Sequence, residues 1–327
     1  MKNKIIIVGA SAIASFHVNA LKEAGLDTVA VAPLNYAVVS EKKFATENFI
    51  PKSYSNWKEM VEKEEYDGVV IASSVESTIE VLEYVIQKNV PILVEKPVNF
   101  DSKIIKNFTK NIHDNVIVGY NRRYYKTVNS VKDFVLKENN PVIATMTVPE
   151  SPNIRSFFEN STHCIDILRY IFGEIQIEFV KKLISEEQLK GVIATFSNDR
   201  KDIIQFIGNW GASDNFSLSV YRDKKKYELK PFEELMIFEG MIVNEPSTTN
   251  PIRKYTPKVS CKINLDSFDA NFKPGFYLQS KTFANLIQNN LKSEIAANLF
   301  DAQRNIEICE EMVGKYNEFI FEQNGKQ

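Results

Sequence analysis

The stretch KIIIVGASAIASFHVNALKEAG, residues 4–25, decides the fold. It opens on Ile5 to Val8, a short continuous apolar run of the kind made by a strand covered on both faces. Gly9 breaks the run. Ile13, Phe16, Ala20, Leu21 and Ala24 then recur at helical spacing until Gly25 stops the pattern. Strand, glycine turn and helix in this order are the setting of a dinucleotide fingerprint, G-x-G-x-x-G/A. Here it reads Gly9-Ala10-Ser11-Ala12-Ile13-Ala14. The first glycine permits the tight turn, and alanine is tolerated at the third fingerprint position. Ser11 replaces the second glycine, where a Cβ crowds a pyrophosphate and a hydroxyl can donate to it. The helix start still offers free N–H groups and a positive dipole end.

The alternation continues outward. Residues 28–32, 67–73, 90–95 and 115–120 read as further buried strands, and 55–65, 75–89 and 102–112 as helices, with Ser73 and Glu76 at capping-box spacing. Strands alternating with helices imply a parallel, doubly wound sheet. Beyond residue 121 the period changes. A helix over 127–139 is followed by period-2 stretches at 142–148, 191–197, 202–208, 216–222 and 226–232, the pattern of an antiparallel sheet. A helix over 161–173 interrupts them, and two more helical patterns close the chain. Residues 244–274 are polar and contain prolines, and read as a long loop near a site or a partner. The expected class is α/β, with an N-terminal doubly wound parallel sheet over 1–120 and a C-terminal α+β domain over 121–327 carrying an open, mostly antiparallel sheet.

At 327 residues, two domains are expected, since single cores stop growing near ~250–300 residues. The net charge is -2 with acids and bases interspersed, which offers no footprint for nucleic acid or an anionic membrane. No apolar run approaches the ~20 residues that span a bilayer, and the opening apolar run is too short for a signal peptide. Cys164, Cys261 and Cys309 are scattered, without the spacing of a zinc site or a disulfide framework, so a reducing cytoplasm is expected. With only His17, His113 and His163, no metal site is expected.

ILVEKPVNF, residues 92–100, is a strand that ends in Glu95, Lys96 and Pro97. In an open α/β sheet ligands bind beyond the carboxyl ends of the strands, and Pro97 restricts Lys96 to extended backbone, aiming its side chain. The acid that an NAD site wants at the end of its second strand is missing: Ala32, Pro33 and Leu34 stand there, and the next acid is Glu41. This leans toward NADP or dual use, with Ser40, Lys42 and Lys43 as possible phosphate partners.

Taken together, VEKPV at 94–98, VGYNRRYYKTV at 118–128, ENSTHCIDILRYIFGE at 159–174 and the closing helical segments resemble the Gfo/Idh/MocA oxidoreductases. His17, three residues past the fingerprint, also matches a family feature. Glu95, Lys96 and Pro97 match fully, as do His163 and Asp166. Glu159 stands where the family usually has Asp, and Ser161 where it often has Gly. The resemblance implies hydride transfer between NAD or NADP and a hydroxyl-bearing carbon, commonly on a sugar, with a nucleotide sugar or sugar derivative as the expected substrate. Lys96 and His163 are the candidate catalytic residues. His163 suits a base for the hydroxyl proton, with Glu159 or Asp166 to orient it, and Lys96 suits an alkoxide stabiliser; the two roles are interchangeable if burial lowers the lysine's pKa. Gly9, Ser11, Ala12, Ile13, Ser73, Ser74, Glu95 and Lys96 are assigned to the cofactor. Tyr120, Arg122, Arg123, Tyr124, Glu159, Asn160 and His163 are assigned to the substrate, the arginines suiting a carboxylate or phosphate. A homodimer or homotetramer through the second sheet is expected. The rival readings are a catalytically inactive nucleotide- or sugar-binding regulator on the same fold, and a reductase of C=N or linear tetrapyrrole substrates.

Overall fold

The computed structural model describes residues 2–34, 40–110, 114–150, 153–314 and 316. The chain divides into two units. Unit 1 is Met1–Tyr124 with Ser267–Cys309, and unit 2 is Tyr125–Asp266 with Glu310–Gln327. This differs from two continuous blocks meeting at residue 120, because the chain returns to unit 1 near its end.

Unit 1 runs β1 (Asn3–Val8), α1 (Ala12–Glu23), β2 (Leu26–Ala32), α2 (Glu41–Glu47), β3 (Lys52–Ser53), α3 (Trp57–Lys63), β4 (Gly68–Ile71), α4 (Val75–Ile86), β5 (Ile92–Val94), α5 (Ser102–Thr109) and β6 (Val116–Val118). The six strands are parallel, in the order β3-β2-β1-β4-β5-β6. Neighbours are reversed about β1, so the carboxyl ends of β1 and β4 open a crevice at the switch point. β1, β4, β5 and β6 are buried along their apolar runs, as a sheet covered on both faces requires. β3 is only two residues long and carries too little hydrophobic pattern to show in the sequence.

Side-chain caps set the helix starts. Asn56 accepts from the N–H groups of Lys58 and Glu59, and Asp101 accepts from that of Lys103. The capping box expected at Ser73 and Glu76 gives way to a different start: Ser74 is the N-cap of α4, and Ser73 is hydrogen-bonded to Thr78 at 2.9 Å.

In unit 2, α6 (Lys126–Leu136) is followed by β7 (Ile143–Val148), the single turn α7 (Ile154–Ser156), a π-turn over Phe157–Ser161 and α8 (Thr162–Phe172). Then come β8 (Gln176–Ser185), β9 (Gln188–Ser197), β10 (Ile203–Asn209), β11 (Ser217–Arg222), β12 (Lys225–Leu229), β13 (Glu234–Asn244) and β14 (Lys254–Asn264). The sheet order is β14-β13-β12-β11-β7-β10-β9-β8, antiparallel except for the β7–β10 pair. α8 is buried along its whole length, and Phe134 of α6 stacks on Tyr227 of β12 at 3.9 Å. On the sheet, Ala144, Met146, Phe206 and Val220 are buried. The alternate positions Ile143, Ile203 and Tyr221 remain 57%, 53% and 42% exposed, so the sheet has an open apolar face.

The loop expected over 244–274 is corrected by β14, which pairs along β13 as the edge strand. Its polar sequence and Pro257 fit an edge, where one side needs no ladder hydrogen bonds. β8, at the other edge, is largely exposed although half of its residues are apolar, Phe179, Leu183 and Ile184 among them.

The chain then supplies α9 (Phe276–Asn289) and α10 (Leu299–Val313). α9 packs against α1, and its Phe283, Ala284 and Leu286 join Ile5, Ile7, Leu21 and Leu93 in the core of unit 1. That burial explains why 267–309 belongs to the first unit.

Candidate functional site

The turn after β1 is built around Gly9. Its φ of 126° is unfavourable for other residues, and a Cβ there would lie 2.2 Å from Ala72 O. Only glycine lets the end of β1 pass so close to the end of β4. Ser11 is extended, with φ -109°, and its side chain accepts from Ala14 N as the N-cap of α1. The second fingerprint glycine is therefore not needed for backbone freedom here, and serine gains a capping role.

These ends open into a cleft of about 750 Å³, within the range of small-molecule sites. Gly9, Ser11, Ala12, Ser73 and Ser74, all assigned to the cofactor from sequence, line it. Ile13, Glu95 and Lys96 lie outside its lining. Glu47, Asn48, Phe16 and Leu34 line it too, and sequence reasoning missed Glu47 because it looked for an acid at the end of β2. The structure brings one from α2. A tight glycine turn leading into the free end of a helix is the cradle a dinucleotide's pyrophosphate needs, so the residues present fit that group. Ser40 caps α2 by accepting from Lys43 N at 3.3 Å, and Lys43 pairs with Glu47 at 3.8 Å.

Beyond β5, Glu95 turns to His17: Glu95 Oε1 lies 2.7 Å from His17 Nε2. His17 is fully buried, and the Glu95 side chain is 13% exposed. Glu95 Oε2 also accepts from Lys96 N at 3.3 Å. Burial pushes the Glu95 carboxyl up, but the His17 hydrogen bond and the charges of His17, Lys96 and Lys273 outweigh it, leaving the pKa below the ordinary carboxylate value. A Cβ on Gly119 would lie 3.1 Å from the Glu95 carboxyl carbon, so Gly119 is what leaves room for it. The Lys96–Pro97 peptide is cis.

The link at 121–124 is a 3-10 turn. Arg123 is 5% exposed and paired with Asp301 at 3.2 Å. Tyr120 and Tyr124 are buried, while Arg122 is half-buried.

In unit 2, His163 and Asp166 lie buried on α8 at 6% and 1% exposure. Glu159 and Asn160 precede them in the π-turn, whose wider winding breaks the i, i+4 spacing that a continuous α-helix would give Glu159 and His163. Glu159 pairs with Arg155 at 2.7 Å. Asn160 Nδ2 and Ser161 Oγ donate to Glu150 at 3.2 and 2.9 Å. Glu150, 4% exposed, was not visible as a site residue because it precedes the helix by a full turn-rich segment.

Residues 3–120 match the model of an oxidoreductase family with an NAD-binding Rossmann fold, the Gfo/Idh/MocA family. The rhizopine catabolism protein MocA of Rhizobium meliloti is 24% identical over 187 residues, which cover 53% of this chain and 58% of that protein. The match therefore spans little more than half of that relative. A myo-inositol dehydrogenase from Corynebacterium glutamicum shares the fold with a TM-score of 0.71 at 16% identity, covering 96% of each chain. A UDP-N-acetylglucosamine 3-dehydrogenase from Acidithiobacillus ferrooxidans gives 0.73 at 12% identity, covering 98% of this chain and 99% of its own.

Proposed function

From the match of residues 3–120 to the Gfo/Idh/MocA oxidoreductase model, we propose that the chain transfers a hydride between a nicotinamide dinucleotide and a hydroxyl- or keto-bearing carbon of a sugar derivative. The observation that carries this reading is the cleft at the switch point, walled by Gly9, Ser11 and Ser73, with the Glu95–His17 pair anchoring the strand end just before Lys96. When bound, the nicotinamide supplies the carbon that accepts or releases hydride.

The chain's own residues handle binding and the proton. Gly9 and the start of α1 hold the dinucleotide's phosphates. Lys96 steadies the substrate oxygen as negative charge develops on it, and His163 takes the hydroxyl proton or returns it in the reverse direction. Asp166 orients the imidazole. Arg123, committed to Asp301, is a structural residue in this reading. The inositol and nucleotide-sugar substrates named for two proteins of the same fold support a polyhydroxylated substrate. The open apolar face of the second sheet supports a homo-oligomer formed through that face.

The test is a panel of inositols, sugar acids and nucleotide sugars assayed with NAD and NADP by absorbance of the reduced nicotinamide. Turnover of at least one polyol, lost in Lys96→Met while NADH still binds, supports the assignment. Undiminished turnover in Lys96→Met removes Lys96 from the mechanism. Tight binding of NADH with no turnover on any member favours the regulatory reading.

A further inference from the structure

Glu47 reaches the nucleotide cleft from α2, a helix of only seven residues. A helix that short does not hold its own geometry in water, so its place depends on what grips its end. Phe44 and Ala45 are buried in the core of unit 1 beside Ile50. The chain then leaves α2 in a Schellman turn: the Phe49 N–H donates to Thr46 O at 3.3 Å, and the Ile50 N–H donates to Ala45 O at 2.8 Å. Phe49 stands where glycine is preferred, at φ 55°, and is 90% exposed. A bulky side chain in that conformation is strained and gains no burial in return, so neighbouring contacts hold the turn in place.

Asn48 makes such a contact. Its Nδ2 donates to Phe44 O at 2.9 Å, which sets the orientation of the amide, and its Oδ1 accepts from Ser15 Oγ on α1. Ser15 lies one turn beyond Ser11 on the helix that begins at the phosphate turn. Ser15, Glu47 and Asn48 all line the cleft, together with Leu34 just past the end of β2. The carboxyl end of α2 is thus tied to α1 inside the wall of the cleft.

That wall is negative. Residues 35–39 carry no charge, and Lys42 and Lys43 lie outside the lining while Glu47 lies within it. Ser40 is engaged by Lys43 N, and Lys43 by Glu47 at 3.8 Å. An exposed pair at that distance neutralises little. A carboxylate accepts hydrogen bonds from a ribose diol and repels a phosphate put in place of one hydroxyl.

We infer that Ser15 is a positioning residue for cofactor choice. Through Asn48 it holds the Glu47 carboxylate against the adenosine ribose, so that the chain takes NADH in preference to NADPH, an assignment that rests on the oxidoreductase reading and narrows its cofactor. Ser15 and Asn48 are 33 residues apart, and no motif joins them.

Fluorescence titration of the full chain with NADH and with NADPH gives the ratio of the two dissociation constants. The wild type is expected to favour NADH. Ser15→Ala should move the ratio toward NADPH by about threefold, the scale of one lost hydrogen bond. Ser15→Thr keeps the hydroxyl and should restore the wild-type ratio. The double variant Ser15→Ala/Glu47→Gln should match Glu47→Gln alone, because the hydroxyl acts only through the carboxylate. Should Ser15→Ala fold poorly, Asn48→Ala breaks the same contact from the other side and carries the same expectation. A merely structural contact would weaken both nucleotides alike, and an unchanged ratio in Ser15→Ala overturns the inference while the oxidoreductase reading stands. A wild type that favours NADPH, or additive shifts in the double variant, overturns it as well. Binding of neither nucleotide sinks the oxidoreductase reading and the assignment with it.

Discussion

His17 and Glu95, 78 residues apart in the chain, meet in a 2.7 Å contact that joins α1 to the end of β5. The contact ties the helix that begins at the phosphate turn to the strand end that carries Lys96. A mostly buried carboxylate is tolerable there because a buried imidazole, the Lys96 N–H and nearby cations compensate it. Replacing His17 with leucine leaves that carboxylate without its main partner. The expected loss is about 3 kcal/mol in urea unfolding, with most of it recovered when Glu95 is also made leucine. A negligible loss in the single variant would show that the pair holds nothing together.

The same pair sets an acid-side pH dependence. The folded Glu95 pKa lies below its unfolded value. Its contribution to stability is therefore fully present above the unfolded carboxylate pKa, about 4.3, and is lost as pH falls through the lower folded value. Wild type should lose Tm on acidification below about pH 4.3 more steeply than Glu95→Gln. Parallel curves for the two proteins would remove Glu95 from the acid transition.

Gly9→Ala tests the turn. The added Cβ would lie 2.2 Å from a backbone oxygen, at a φ of 126°. Either β1 or β4 must shift, at an expected cost of about 2 kcal/mol or more. Since that shift deforms the wall of the cleft, NADH affinity should fall at least tenfold in fluorescence titration. Normal stability with normal NADH binding would contradict the assigned geometry. Ser11→Gly, by contrast, should cost only a few tenths of a kcal/mol as an N-cap change and leave NADH binding largely intact.

The doubly wound sheet was legible because β1, β4, β5 and β6 are covered on both faces, and their apolar runs say so without help from neighbours. β3, β8 and β14 were not, since a two-residue strand, an edge whose bulges break the alternation of its apolar residues, and a polar edge carry little pattern. The return of 267–309 to unit 1 depends on Phe283 and Leu286 meeting α1 and β1, and spacing within one helix cannot specify its partner. Gly9, Ser11 and Ser73 could be read from local grammar. Glu47 could not, because tertiary folding alone brings an acid from α2 to the cleft.

Glu47 leads to a prediction about cofactor choice. It lines the cleft that Leu34, just past β2, also lines, and so supplies the negative charge missing from the strand end. A carboxylate there should disfavour a 2′-phosphate and retain NADH, against the lean toward NADP drawn from the missing strand-end acid. Glu47→Gln should improve NADPH affinity relative to NADH by about fivefold, the factor for about 1 kcal/mol of screened repulsion. Equal ratios in the two proteins would place Glu47 away from the ribose.

Ile143 stands between Ile203 and Tyr221 across three neighbouring strands, all on the open face of the second sheet. Lysines at 143 and 203 should dissociate the proposed oligomer, read as a halving or quartering of mass in light scattering, without unfolding the chain. A wild type that is monomeric at every concentration tested would refute association through this face.

Whether unit 1 binds a nicotinamide dinucleotide for hydride transfer is decided by equilibrium titration of the wild-type chain with NADH and NADPH. Saturable enhancement or quenching of nicotinamide fluorescence, with a dissociation constant between about 1 μM and 1 mM for at least one of the two, is the predicted result. Absence of a signal from both, with no shift in Tm at millimolar nucleotide, would show that unit 1 is not a nicotinamide-binding domain.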